Sequence, residues 1–290
     1  MKSLALGFAC LTTSVALAQA PDVRIRGDLS LGMASSKEYS LGGRTYTPLG
    51  RHSVITLQTY LPVGLRVVFA ERVQPIKNDP DDDAFDEYYV EDPGSWRVGK
   101  QYVPFGGGAF FHQSVQAARI DSNLALGGVP LAIAIADGGN GRQYGVVGRI
   151  GGRGLGLSFA VGRHWGVNSS SMALTQSLQK PEGLGNGWKQ AVGVDIYRRS
   201  QKFVYRTEAI VLRQPEGTSK DKEAGDFLVT YDLGHRHSAF AGVSKVFGDR
   251  ETFTRLGCVY NAAKGIQLEG TYRLTDRNFR DFSIFLHVRF

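Results

Sequence analysis

The chain has 290 residues, of which 37 are glycine, 11% are aromatic and only three are methionine, and its formal net charge is +7. This composition favours strands and turns over helices. No run of about 18 apolar residues is present, which excludes a membrane-spanning helix. The positive charges are scattered along the chain and form no single stripe, which argues against a nucleic-acid-binding protein.

The N-terminus has the three parts of a secretory signal peptide. Met1-Lys2 is the positive region, residues 4–17 are apolar, and Ala18-Gln19-Ala20 is an A-x-A cleavage site. Cleavage after Ala20 leaves residues 21–290, with 33 Lys and Arg against 27 Asp and Glu. Cys258 is then the only cysteine, so no internal disulfide is expected.

The mature chain is a series of alternating segments of about ten residues separated by turn residues, as transmembrane strands require. In the first segment, Val23, Ile25 and Leu29 alternate with Arg24 and Arg26. The predicted strands cover residues 23–33, 52–61, 65–72, 85–92, 95–105, 129–137, 142–151, 154–165, 188–199, 202–213, 225–234, 237–247, 252–262, 265–275 and 281–290.

These fifteen segments conflict with the even strand number of single-chain bacterial barrels, whose short turns and long loops lie at opposite ends. The short turns 199–201, 234–237 and 262–265 fall at one end. The longer connections 34–51, 75–84, 166–187 and 214–224 fall at the other. The missing strand is placed near His112–Ser122, which favours sixteen strands, with fourteen as the alternative.

The C-terminal strand alternates sharply and stops on an aromatic residue. It resembles the C-terminal signature of Gram-negative outer-membrane β-barrels. The resemblance implies that its apolar face is the signal read by the barrel-assembly machinery. The residues of that face are Phe282, Ile284, Leu286, Val288 and Phe290.

A second local resemblance lies in the segment W-R-V-G-K-Q-Y-V-P-F-G, residues 96–106. It is similar to the phosphate-selective and related porins, in which such a strand leads into the loop that narrows the pore. The resemblance implies a general porin whose constriction is the loop 106–128. It does not extend to phosphate selectivity, because the lysine-rich ladder of the phosphate-selective members is not visible.

Lys100 is a difficulty for this strand. Simple alternation places it beside Trp96 and Val98 on the lipid-facing side. A lysine at the bilayer midplane costs about 2–4 kcal/mol there. A bulge at Gly99 or a subunit contact would remove the difficulty.

With the apolar positions assigned to lipid, arginines outnumber acids on the inward face. Rings of arginine in a pore favour anions, so a modest anion preference is predicted. The alternative is that the arginines pair with wall acids and stiffen the barrel. The predicted pore-lining residues are Arg24, Arg26, Arg66, Arg97, Arg149, Arg206, Arg255 and Arg273, with Arg289 also inward. The inward acids are Asp28, Asp195, Glu208, Asp232 and Glu269.

Enzymatic and metal sites are weakly indicated. The pair His112 and Ser114 is the one candidate for a hydrolase at the barrel rim. The run Asp79–Asp83 could bind Ca²⁺, but it lacks the ordered spacing of a calcium loop, so a solvated acidic loop is the preferred interpretation. We therefore expect no catalytic residues, no metal and no cofactor.

Together these features predict an all-β protein, a transmembrane antiparallel β-barrel of sixteen strands at residues 21–290 in the bacterial outer membrane. The predicted function is a porin for passive diffusion of small solutes, chiefly anions. A closed barrel that binds a ligand or siderophore through its external loops is the alternative. The expected partners are outer-membrane lipid and lipopolysaccharide, the barrel-assembly machinery and, as one assembly option, two further copies in a homotrimer.

Overall fold

A computed structural model describes residues 21–34, 53–73, 85–110, 114–124, 127–137, 144–163, 187–214, 216, 221–247, 252–275 and 280–290. Within these ranges the chain forms sixteen β-strands, whose bounds are as follows. They are β1 Asp22–Ala34, β2 Val54–Tyr60, β3 Arg66–Arg72, β4 Phe85–Asp92, β5 Trp96–Tyr102, β6 Ser114–Leu124, β7 Val129–Asp137, β8 Tyr144–Gly151, β9 Leu155–Gly162, β10 Lys189–Ser200, β11 Phe203–Arg213, β12 Lys222–Gly234, β13 His237–Phe247, β14 Thr252–Ala263, β15 Ile266–Thr275 and β16 Arg280–Arg289.

The strands form one closed barrel in which each strand pairs with its neighbours in the sequence and β1 pairs with β16. All pairings are antiparallel, as the register of β1 with β2 and β16 illustrates. The prediction of sixteen strands is confirmed, and the fourteen-stranded alternative is wrong. The sixteenth strand, which the alternating sequence pattern did not reveal, is β6, Ser114–Leu124. It lies within two residues of the predicted place.

The described part of the chain contains no helix whose length and apolar content would let it cross a bilayer.

The two ends of the barrel differ as predicted. The tight turns that join β10 to β11, β12 to β13 and β14 to β15 all lie at the end where β1 begins and β16 ends. Residues Gln201, His235 and Arg236 adopt positive φ of 47°, 48° and 72° in these turns. The connections on the other end include those after β1, β3, β9 and β11, which are the long ones. Because the strand count is even, β1 begins and β16 ends at the same end of the barrel, the end with these tight turns.

The outer face of the barrel is apolar. In β1 Val23 and Ile25 are exposed, and in β7 Ile133 and Ile135 are exposed while Ala134 between them is completely buried. Because successive side chains of a strand point to opposite faces, the exposed apolar residues of these strands mark the outside of the barrel. This pattern is the one expected for a barrel whose outer surface faces lipid.

Lys100 does not lie exposed on the outer face, contrary to simple alternation. Gly99 has a φ of 133°, which glycine adopts far more readily than other residues. The pairing of β5 with β4 and β6 nevertheless continues past Gly99 without a shift, and Lys100 lies opposite Tyr88 and Gln116 with only 2% of its surface exposed. Burial between these neighbours, and not a change of face, limits the exposure of its ammonium group.

The seam between β1 and β16 is closed by polar side chains on the inner face. Ser30 Oγ lies 2.8 Å from His287 Nδ1, and His287 Nε2 lies 3.1 Å from Glu269 Oε2 on β15. In the neutral tautomer that carries its proton on Nε2, His287 donates to Glu269 and accepts from Ser30 through Nδ1. Arg289 donates to Asp28 one step along the same seam, at 2.9 Å. These contacts fix the register in which the barrel closes.

The terminal residue Phe290 also belongs to the seam. Its backbone exchanges hydrogen bonds with Gly27 at 3.0 and 3.1 Å. A Cβ on residue 27 would lie 2.2 Å from the Phe290 ring, so the ring occupies the space that glycine leaves on β1.

We predict that His287→Leu lowers the melting temperature of the folded barrel. The substitution leaves the Glu269 carboxyl buried without its nitrogen donor, and a buried group deprived of its partner costs about 1–3 kcal/mol, more when charged. The effect is measured on SDS gels of samples heated to a series of temperatures, as the temperature at which the faster-migrating band of the folded barrel disappears. Ser30→Ala is the control, because it removes one hydrogen bond and keeps Glu269 paired. Equal melting of the two variants would contradict the assigned role of His287.

Candidate functional site

A segment that follows β5 enters the barrel. Residues 103–110, the inserted segment, carry two phenylalanines, of which Phe105 is buried and Phe110 is 0% exposed. They pack in one apolar cluster with inward residues of β6 to β13, which are Val115, Ala117, Ala134, Ala136, Val147, Ala160, Ala191, Ile210, Leu212, Ala224 and Val246. Most of these wall residues are small, so the wall leaves room for the two rings.

The structure corrects the expectation that residues 106–128 form the constriction loop. Only its first residues belong to the inserted segment, since Ser114–Leu124 forms β6 and Gly127 and Gly128 form a turn with φ of 82° and 64°. The physical reason is the alternation of β6, in which Ala118 and Ile120 are exposed on the outer face while Val115 and Ala117 are buried. The weak apolar content of this strand hid it in the sequence.

Three backbone N–H groups attach the inserted segment to the wall. Gly106 donates to Ser158 Oγ of β9 at 2.9 Å, and Gly107 and Ala109 both donate to Glu208 Oε2 of β11 at 2.9 Å. Gly106 has a φ of 59°, and a Cβ there would lie 2.0 Å from Glu208 Oε1. Glycine is therefore required for the carboxylate to approach the backbone so closely.

Glu208 stands in the middle of a row of three carboxylates. Asp195 on β10 is directly opposite Glu208, and Glu208 is directly opposite Asp226 on β12. All three are buried. Like charges directly opposite each other destabilise a sheet, so the row requires positive charge at its ends.

Arg149 supplies that charge at Asp195. Its Nε and Nη2 donate to the two carboxylate oxygens at 3.0 and 2.6 Å. The side chain starts on β8 and crosses Gly156 of β9, where a Cβ would lie 2.2 Å from the guanidinium. Two further hydrogen bonds, to the carbonyls of Gly151 and Gly152 at 3.0 Å, complete its contacts.

Arg255 repeats this arrangement at the other end of the row. Its Nη2 lies 2.7 Å from Asp226 Oδ2. The side chain reaches from β14 across Gly242 of β13, where a Cβ would lie 2.8 Å from Arg255 Nε. Arg206 approaches the second oxygen of Asp226 at 3.9 Å, and Ser244 donates to Asp226. Arg149 and Arg255 therefore link strands two apart, as the alternative of wall-stiffening arginines predicted.

Two other predicted arginines lie on or near the seam side of the barrel. Arg273 is buried and stands directly opposite Arg255 in the β14–β15 register. Arg289 pairs with Asp28, and both are partly exposed.

The wall formed by β1 to β5 carries the remaining predicted arginines together with two tyrosines. Arg66 and Arg97 share the carboxylate of Glu91, with 2.8 Å between Arg97 Nη2 and Glu91 Oε2. Arg97 stacks on the ring of Tyr89 at 4.1 Å, and Arg66 lies 5.8 Å from the ring of Tyr60. These cation–π contacts hold the guanidinium planes in position.

Arg24 and Arg26 are the exposed members of the same wall. Arg24 pairs with Asp22 at 2.6 Å and lies 4.9 Å from the Tyr60 ring. Arg26 has no ion-pair partner among the described residues. We name the set Arg24, Arg26, Arg66 and Arg97 the arginine wall; its four guanidinium groups face three contacting carboxylates, those of Asp22, Glu87 and Glu91.

The features considered for catalysis and metal binding lie wholly or partly outside the described residues. Ser114 is buried beside Arg72, with 3.5 Å between Ser114 Oγ and Arg72 Nη2, and His112 lies outside the described residues. The run Asp79–Asp83 also lies outside them. Across the described ranges no group of three or more His, Cys, Asp or Glu could hold a metal ion.

Sequence reasoning missed the anchoring roles of Phe105, Phe110, Ser158 and Glu208. Glu208 was predicted as an inward acid, but nothing in its neighbourhood in the chain links it to Gly107, which is 101 residues away. The run P-F-G-G-G-A-F was the available signal, because three glycines between two phenylalanines suit a backbone held close to a polar group between two apolar anchors.

Comparison with protein-family models finds no match, and no curated protein is detectably similar in sequence. Solved structures do match. A loop-deletion mutant of OmpT, an outer membrane protein of Vibrio cholerae, is 12% identical with a TM-score of 0.61, over 94% of this chain and 100% of that one. The outer membrane channel DcaP of Acinetobacter baumannii is 14% identical with a TM-score of 0.60, over 93% and 98%.

An anion-selective porin from Comamonas acidovorans is 11% identical with a TM-score of 0.60, over 93% of this chain and 99% of that one. At such low identity these likenesses show the fold alone, a closed antiparallel β-barrel.

Proposed function

We propose that the protein is a channel of the bacterial outer membrane through which small solutes diffuse passively. The observation that carries the proposal is the position of the inserted segment inside the barrel. It packs on the inner wall of β6 to β13 and leaves the arginine wall on the other side, where Arg24 and Arg26 are exposed. Barrels of sixteen strands are wide enough to enclose an aqueous channel, and a segment attached to one side narrows such a channel.

A modest preference for anions is the second part of the proposal. The arginine wall has one guanidinium group more than it has contacting carboxylates, and Arg26 has no ion-pair partner among the described residues. On the opposite wall Arg149, Arg206 and Arg255 are engaged by Asp195 and Asp226. A positive wall inside a low-dielectric barrel attracts anions, and the small excess makes the expected preference weak.

Location and assembly follow from the same proposal. Residues 1–20 act as a signal peptide that is cleaved after Ala20, and the terminal strand with Phe290 is read by the barrel-assembly machinery. The apolar outer face contacts outer-membrane lipid and lipopolysaccharide. A homotrimer is the proposed assembly, supported by the trimer form in which the similar Vibrio cholerae OmpT is described.

Single-channel recording tests the function. The protein is purified from the outer membranes of cells that express the full chain and is inserted into planar bilayers under a KCl gradient. We expect stable conductance steps and a reversal potential displaced toward that of chloride. Reversal on the potassium side would remove the anion preference and keep the channel. Absence of conductance from a folded barrel would reject the channel in favour of ligand binding by the external loops.

A further inference from the structure

We propose that the negative charge of Glu208 holds the inserted segment in place, so that protonation of this single carboxyl group changes the conductance of the channel. The inference rests on the proposed function and assigns to Glu208 a positioning role within it.

The first argument is the bonding of the Glu208 carboxylate. Oε2 accepts two backbone N–H groups of the inserted segment, those of Gly107 and Ala109, both at 2.9 Å. Oε1 is buried, has no hydrogen-bond partner among the described residues and lies against Gly106. Hydrogen bonds to an ionised acceptor are roughly twice as strong as neutral ones. Protonation therefore weakens both bonds at once and adds a hydroxyl group to a site that offers it little space.

The second argument is that the charged neighbours of Glu208 are already engaged. Asp195 on β10 is held by Arg149, and Asp226 on β12 is held by Arg255, Arg206 and Ser244. None of these arginines contacts Glu208. The backbone N–H groups of the inserted segment are the only hydrogen-bond donors to Glu208 among the described residues, while Asp195 and Asp226 add negative charge on either side.

The third argument is that the inserted segment offers no other charge. Residues 103–110 read V-P-F-G-G-G-A-F and contain no titratable side chain. Phe105 and Phe110 hold the two ends in the apolar cluster whatever the pH. Between them Gly106 and Gly108 have φ of 59° and 81°. In the part of the chain that the structure describes, hydrogen bonds to Ser158 and Glu208 attach this stretch of backbone to the wall. Loss of the charge thus frees the middle of the segment to move from β11 into the lumen.

The expected behaviour is a reversible fall in single-channel conductance as the pH is lowered from neutral into the acid range. Glu208→Gln keeps the shape and removes the charge, so this variant should show the lower conductance already at neutral pH and no further fall in acid. Glu223→Gln is the matched control, because Glu223 is an exposed residue near the start of β12. It should retain the pH response of the wild type.

The outcomes separate the two proposals. No conductance at any pH from a folded wild-type barrel overturns the channel itself. The role of Glu208 is overturned if the wild-type conductance does not change with pH, or if the pH response persists in Glu208→Gln. Either result leaves the proposed channel function intact.

A second measurement on the wild type covers the case in which Glu208→Gln fails to fold. Hydrogen–deuterium exchange of residues 105–110, corrected for the intrinsic pH dependence of exchange, should reveal protection at neutral pH that is lost in acid. Protection that is unchanged by acid would overturn the proposal.

Discussion

Phe110→Ala is expected to produce a channel with lower and noisier single-channel conductance than the wild type, because the released end of the inserted segment moves into the lumen. Phe110 has no exposed surface, and its ring fills the apolar cluster on the inner wall of β6 to β13. Truncating a buried phenylalanine to alanine costs about 3–5 kcal/mol. The sixteen strands remain paired through their backbone hydrogen bonds, so the cost falls on the attachment of the inserted segment.

Recordings of Phe110→Ala and of the double variant Phe105→Ala/Phe110→Ala measure the effect, which should increase from the single to the double change. Phe247→Ala is the matched control, since Phe247 is exposed on the outer face and contributes nothing to the cluster. Unaltered conductance in a folded double variant would mean that the inserted segment does not limit the flow of ions.

Charge reversal at the exposed part of the arginine wall is expected to reverse the ion selectivity. Arg24→Glu/Arg26→Glu changes the local charge by −4, which outweighs the excess of one positive charge on that wall. Charges inside a narrow low-dielectric lumen act on passing ions more strongly than exposed surface charges. The reversal potential under a KCl gradient should therefore cross from the chloride side to the potassium side.

A control with the same charge change is available in two of the tight turns. Lys202 and Lys264 are exposed in the turns that join β10 to β11 and β14 to β15. Charges outside the lumen are screened over about 10 Å at 0.1 M salt, so Lys202→Glu/Lys264→Glu should shift the reversal potential only slightly. If both double variants shifted it equally, selectivity would depend on the total charge of the barrel and not on the arginine wall.

The roles of the predicted arginines could not be separated from the sequence. Alternation assigned Arg149, Arg255, Arg24 and Arg26 to the same inward face and treated them alike. In the structure Arg149 reaches Asp195, 46 residues away, only because Gly156 lies between them on the neighbouring strand. A partner two strands away depends on the register of two successive pairings, and a register is invisible in the pattern of one strand.

The sequence by itself determined the barrel. A period of two in side-chain polarity is a local property, since each residue points opposite to its neighbour, so strand positions, the apolar outer face and the inward arginines followed directly. The even strand count of such barrels then supplied β6, where the alternation is weak. Closure at β1 and β16 followed from the same rule.

Only the tertiary structure decided what the inward side chains do. The attachment of Gly107 to Glu208 joins positions 101 residues apart, and the seam contact of Ser30 with His287 joins positions 257 apart. Such contacts depend on the tilt and stagger of the closed barrel, which no local period encodes. Whether an inward charge faces the lumen, pairs across a glycine or holds the inserted segment is therefore a property of the closed barrel and not of any single strand.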